Sequence, residues 1–147
     1  MPTSLPGDAR VIVRDVMTPD PIMLRGTATV REAGQAMRRS DVGDVLVMRD
    51  DAIFGIVTDR DIVVRNVAEG RDPNRALLDE ICSRSLVQVS PDDSIDHAIA
   101  LMRDRAIRRI PVVVGDTPVG IVSLGDLAAA RDPESALAEI SVAPGNL

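Results

Sequence analysis

Short aliphatic blocks separated by polar turns run the length of this chain, and their spacing predicts a regular succession of elements. Thr18-Pro19-Asp20-Pro21 interrupts a short helix or turn over Val11 to Met17, because proline disfavours helical geometry in the residue before it, and Ile22-Met23-Leu24 follows as a strand. Thr29 and Glu32 fit a capping box. Behind them Val30, Ala33 and Met37 recur at intervals of three and four, which puts them on one helix face with Arg31, Arg38 and Arg39 turned outward. Two aliphatic runs, Val45 to Met48 and Ile53 to Val57, flank Arg49-Asp50-Asp51-Ala52 and predict a hairpin. Helical spacing resumes from Asp59 to Glu69 through Ile62, Val63 and Val67, and Gly70 ends it.

The same order then returns. Asp72-Pro73 opens a linking helix that runs through Leu77 and Leu78 toward Ile81. After it come a strand at Leu86 to Val89, a helix from Ser94 to Arg105, a hairpin from Ile110 to Ser123 and a helix from Asp126. A last helix is expected over Pro133 to Ile140, with Met1 to Gly7 and Ala143 to Leu147 as loose ends. The recurrence is numerical: Gly55-Ile56-Val57-Thr58-Asp59-Arg60-Asp61 reappears 65 residues later as Gly120-Ile121-Val122-Ser123-Leu124-Gly125-Asp126. At that offset Val16 meets Ile81, Thr29 meets Ser94, Ala33 meets Ala98, Met37 meets Met102 and Val47 meets Val112, so a whole folding unit is duplicated. The copies part company where Gly43, Asp44, Leu46 and Asp59 face Arg108, Arg109, Pro111 and Leu124. A second Arg-Asp-Pro, at Arg131-Asp132-Pro133, lies only 60 residues after Arg71-Asp72-Pro73, so the closing helix of the second copy is shorter.

Composition narrows the function classes. The 147 residues, 45% hydrophobic and 27% charged, suit two small halves that share a core, and no apolar run is long enough for a membrane span. Met1 to Asp8 has no basic segment followed by an apolar one, so the expected compartment is the cytoplasm. A net charge of −6 and a single aromatic residue, Phe54, argue against a nucleic-acid partner. Cys82, the only cysteine, stands opposite Met17 in the repeat and reads as an apolar filler. His97, the only histidine, falls on the outer part of its helix. No nucleophile–base pairing, metal-ligand spacing or phosphate loop is present, so catalysis and a resident metal are not expected.

A unit of strand, helix, strand, strand, helix, closed by Gly-aliphatic-aliphatic-Thr/Ser-x-x-Asp and present twice, resembles the CBS domain, and the pair resembles a Bateman module. Val57 to Val63, Ala68 to Asn74 and Arg108-Arg109-Ile110-Pro111-Val112 strengthen the likeness to the small stand-alone CBS-pair proteins. The resemblance covers nearly the whole chain. It implies an α/β (α+β) fold of two β-α-β-β-α repeats related by pseudo-two-fold symmetry and packed through their sheets. Residues 1–9 would be a flexible N-terminus, 10–70 the first repeat, 71–130 the linker helix and second repeat, and 131–147 a C-terminal helix and tail. It also implies regulation rather than catalysis. The expected ligand is an adenosyl compound (AMP, ADP, ATP, NADH or S-adenosylmethionine) in the cleft between repeats, and the expected assembly is a disc-like homodimer that signals occupancy to a partner protein.

Such a ligand needs an acceptor for its ribose diol, an apolar slot for its base and donors for its phosphate. Asp61 and Asp126 are the candidate ribose acceptors, with Thr58 and Ser123 as hydroxyl companions. Ile22 or Val87 would line the base slot against Ile110, Pro111 and Val112, and Arg108 and Arg109 would hold the phosphate. In the family, the segment before the Pro-Val strand of one half tends to complete the site whose aspartate comes from the other, which assigns the arginines to Asp61. Asp126 would then face Asp44, which repels phosphate. Each aspartate also stands at a helix start, where a carboxylate caps free N–H groups, and Gly55 and Gly120 admit either a ligand or another backbone. Arg108 and Arg109 have the alternative of pairing with Asp104. A ligand-free interaction module is the competing reading, favoured by Asp44 and Leu46.

Overall fold

The computed structural model describes residues 11–84 and 87–131, and the expectations for the two termini and for Ser85 and Leu86 lie outside them. Within those residues the chain forms two compact units, one of residues 21–84 and one of residues 11–20 with 87–131. We call them the first-repeat and second-repeat units. Among the described residues no helix is long and apolar enough to cross a membrane.

In the first-repeat unit, strand β2 (Met23–Arg25) pairs in parallel with β3 (Asp44–Arg49), which forms a hairpin with β4 (Ala52–Thr58). Asp50 and Asp51 take positive φ values of 51° and 63° at its tip, the backbone that a tight two-residue hairpin turn requires. Helix α2 (Val30–Ser40) covers the sheet. Its Thr29 cap accepts the Glu32 N–H at 3.1 Å, and Val30, Ala33 and Met37 enter the core with Val45, Val47 and Val57, as the spacing predicts. Helix α3 (Asp59–Ile62) does not run on as a regular helix to Glu69; it widens into a π-helical segment, Val63–Val67.

The second-repeat unit repeats this plan with α5 (Ile95–Arg105), β5 (Arg109–Val114), β6 (Thr117–Ser123) and α6 (Leu124–Arg131). The strand expected at Leu86 to Val89 is reduced, among the described residues, to one parallel bridge, Val89 to Val112. The cause is Pro111. Its counterpart Leu46 donates its N–H to Ile22 O at 2.8 Å, and a proline has no such hydrogen to give.

Each sheet is completed by a segment that precedes the opposite repeat in sequence. Helix α1 (Val13–Val16) and strand β1 (Thr18–Pro19) pack on the second repeat, where β1 pairs with β6. Helix α4 (Leu78–Ile81) packs on the first repeat, where Ser83 bridges Ile56 with hydrogen bonds of 2.8 and 2.9 Å. The docking bonds match one for one: Val13 N and Arg14 N donate to Asp93 O and Pro91 O, both at 2.9 Å, as Leu78 N and Asp79 N donate to Ala28 O and Gly26 O at 2.9 and 3.0 Å. A four-residue helix has no stability of its own, so these bonds and the full burial of Val13 and Leu78 hold the segments in place. They also correct the linker helix expected from Asp72. Asp72 to Arg75 instead forms a turn in which Asp72 accepts the Asn74 N–H at 2.9 Å, and Leu77 is extended, so the helix starts only at Leu78.

The repeated glycines belong to this exchange. A Cβ on Gly55 would lie 2.5 Å from Ser83 O and 2.8 Å from Cys82 Sγ, and one on Gly120 would lie 2.6 Å from Met17 Sδ and 2.8 Å from Thr18 O. Backbone, not ligand, is what approaches them. Both follow a bulge, at Phe54 and at Val119, where the hairpin register slips by one residue. Cys82 is half-buried there, and burial pushes its thiol pKa up, as befits a filler.

Candidate functional site

The candidate residues gather where each hairpin runs into its closing helix. In the first-repeat unit Thr58 ends β4, and the chain turns directly into α3. Asp61 Oδ2 accepts the Thr58 N–H at 2.9 Å while Thr58 Oγ1 accepts the Asp61 N–H at 3.1 Å. The second-repeat unit builds the same reciprocal box: Asp126 Oδ2 accepts the Ser123 N–H at 2.9 Å and Ser123 Oγ accepts the Asp126 N–H at 3.0 Å. The capping role is therefore realised in both copies, and it uses one oxygen of each carboxylate. A carboxylate has two oxygens and about four acceptor positions, so the cap does not exhaust it.

The surroundings of the two boxes differ in sign. Beside Ser123, in cross-strand register, stands Arg109; beside Thr58 stands Asp44. Burial raises the Asp126 pKa above the usual carboxylate value, and the Ser123 hydrogen bonds and the positive charge of Arg109 pull it partly back. In the first-repeat unit the backbone route is the same, with Asp59 N donating to Gly43 O at 3.0 Å as Leu124 N donates to Arg108 O at 2.8 Å. The side chains are exchanged. The Asp59 carboxylate sits over Gly43, where an added Cβ would lie 2.9 Å from its Oδ2, so the glycine makes room for the acid. Three carboxylates, Asp44, Asp59 and Asp61, thus line the turn of one repeat, where the other has Arg108, Arg109 and Asp126. Asp61 is 3.9 Å from Arg65, one helical turn on.

The remaining candidates divide by burial. Arg108 is exposed and Arg109 half-buried, while Asp104, their suggested partner, pairs with Arg103 at 3.5 Å. Ile110 and Val112 are fully buried in the second-repeat core, which occupies their side chains, and Pro111 is buried as well. Ile22 and Val87 are half-buried against their own cores. His97 is exposed, with Asp93 Oδ2 at 4.0 Å.

A family model, CBS domain, matches this chain twice, over residues 13–66 and 78–132. The chain belongs to the CBS domain family. The two matches begin at α1 and α4, so each family repeat starts with the segment that docks on the other repeat's sheet. CBS domain-containing protein YhcV of Bacillus subtilis is 39% identical over 116 residues, covering 79% of this chain and 82% of that protein. Hypoxic response protein 1 of Mycobacterium tuberculosis is 35% identical over 116 residues, 78% of this chain and 81% of its own. Among solved structures, Hypoxic Response Protein I with two coordinated zinc ions has a TM-score of 0.70 at 34% identity over 80% of this chain and 97% of that one. A hexameric CBS-CP12 protein from bloom-forming cyanobacteria reaches 0.76 at 29% identity over 90% of this chain and 81% of that one. CBS pairs are generally regulatory modules rather than catalysts.

Sequence reasoning missed Asn66, a fully buried polar side chain in the π-helical segment. Its only advance signal was the five-residue difference between the two Arg-Asp-Pro offsets.

Proposed function

We propose that this CBS pair binds an adenine nucleotide or a related adenosyl ligand and passes its occupancy to a partner protein, acting in the cytoplasm as a homodimer and without catalysing a reaction. Asp61 and Asp126 are the ribose acceptors, Thr58 and Ser123 their hydroxyl companions, and Arg108 and Arg109 the phosphate donors. Ile22 and Val87 offer apolar contact to the base. The observation that supports this reading is the economy of the two caps. Each holds a half-buried carboxylate at a strand end by a single oxygen, leaving acceptor capacity for a diol. Ligand binding would then bias an equilibrium between two arrangements of the pair.

Isothermal titration with AMP, ADP, ATP, NADH and S-adenosylmethionine tests it. Asp61→Asn keeps an oxygen for the Thr58 N–H but loses the charge, so affinity falls roughly tenfold or more while the fold persists. Flat traces with all five ligands would contradict the reading.

The acidic turn of Asp44, Asp59 and Asp61 favours a second reading, an interaction module that binds no nucleotide. It predicts no ligand-induced rise in melting temperature and recovery of one stoichiometric partner. The zinc of Hypoxic Response Protein I is not carried over, since the described residues hold no group of three or more His, Cys, Asp or Glu side chains arranged for a metal.

A further inference from the structure

A cavity of about 410 Å³ opens between α2 and the π-helical segment of the first-repeat unit, away from the capped aspartates. Three separate costs of folding converge on it. Asn66, 0% exposed, has neither its amide nitrogen nor its amide oxygen hydrogen-bonded among the described residues, although a buried carboxamide normally finds partners. The helix around it is widened: Ala68 N bonds Val63 O at 2.9 Å and Arg71 N bonds Asn66 O at 3.0 Å, both five residues back, a geometry frequent at functional sites. Gly34, in the middle of α2, weakens that helix relative to alanine, yet a Cβ there would meet nothing within 4 Å, so neither packing nor backbone geometry demands the glycine.

The second repeat shows what the scaffold looks like without these features. At the same offset Ile99 replaces Gly34 and packs on its core, α6 is a regular α-helix, and Asp96 pairs with Arg131 where the first repeat has Arg31 and Asn66. The apolar wall of the cavity comes from Val30, Ile62, Val67 and Pro73, and Arg31 and Arg38 bring positive charge to it. Asn74 steadies Arg31 through a 2.9 Å hydrogen bond.

We propose that this cavity is a second small-molecule site, independent of the adenosyl site, for an organic anion with a lactam-type edge. Asn66 offers a donor and an acceptor side by side, the complement of a cyclic amide, and the arginines offer charge to a carboxylate or phosphate. The volume lies in the range of small-ligand pockets.

The test follows the Asn66 side-chain amide signals by NMR while the unlabelled probes orotate, a nucleobase acid, and pyroglutamate, a lactam amino acid, are titrated separately. At least one shifts those signals saturably, and which one does assigns the ligand to the nucleobase or the amino-acid class. Gly34→Ile, which installs the residue of the second repeat, raises the melting temperature and abolishes the binding. Asn66→Leu does likewise, because it removes an unpaired buried amide, with binding then read from backbone signals of α2. Asp61→Asn leaves the binding unchanged, which separates this site from the adenosyl reading. No shift with either probe at millimolar concentration, or undiminished binding by Gly34→Ile, overturns the proposal.

Discussion

The two repeats share a backbone plan down to individual hydrogen bonds, yet their hairpin-to-helix turns carry opposite charge. Thr58–Asp61 and Ser123–Asp126 close the same box with lengths that agree to 0.1 Å. Around that constant frame the first repeat places Asp44 and Asp59, and the second Arg108 and Arg109. Paired bonds of this kind are fixed by the fold, so capping explains why an aspartate stands at these positions. It does not explain why the neighbours diverge. The divergence is the part available to ligand chemistry, and it makes the two turns unequal in their attraction for phosphate.

The comparison breaks most severely if the shared frame is damaged. Leu78→Ala removes a fully buried side chain from the exchanged helix and is expected to cost about 2–5 kcal/mol, read as a fall in the urea midpoint. Gly55→Ala is expected to cost about 1–3 kcal/mol, since the new methyl must displace the Ser83 carbonyl, which is backbone. Gly120→Ala should cost less. Its nearest obstacle is the flexible Met17 thioether, with the Thr18 carbonyl slightly farther. Equal losses at the two glycines would show that the exchanged segments are not held as described.

Smaller effects come from pH. Burial raises the Asp126 pKa, so the folded form holds that proton more tightly than the unfolded chain; the associated stability is present below the unfolded value, about 4, and is lost as pH rises through the folded one. Asp126→Asn therefore gains on the parent protein as pH is raised through the acid range. Glu80 behaves in the opposite sense. Its pKa is lowered by the Leu77 N–H, at 2.8 Å, and by Arg71, so its contribution is present above the unfolded value and fades as pH falls through the folded one. Glu80→Gln loses on the parent as pH rises. Stability curves of both variants across the acid range check the two signs.

Much of the fold was legible because the duplication repeats it. Two copies of one pattern of cap, helix face and hairpin fixed α2 and α5 and both hairpins to within a residue or two. What stayed hidden is what local pattern does not encode. The linker reads as a helix from Asp72 by its N-cap and proline, but docking of Leu78 and Asp79 onto Ala28 and Gly26 sets a later start. Helical spacing from Asp59 to Glu69 gives no hint that the turn at Val63 widens, since apolar residues at intervals of three, four and five look alike over so short a run. At the site, the residue types at Asp61, Asp126, Thr58 and Ser123 were legible, and so was the ambiguity between cap and acceptor. The glycines were assigned two readings, and only the distances to Ser83 O and Thr18 O decide for backbone.

The central claim is that the capping aspartates also receive a ligand. Titration calorimetry of AMP and ATP into the parent protein and into Asp61→Asn, with melting temperatures measured alongside, tests it directly. The account predicts saturable binding by the parent, at least tenfold weaker binding by the variant and nearly the same melting temperature for both without ligand. Equal affinity in the two proteins, or no heat in either, would leave the carboxylates as caps alone and contradict the claim.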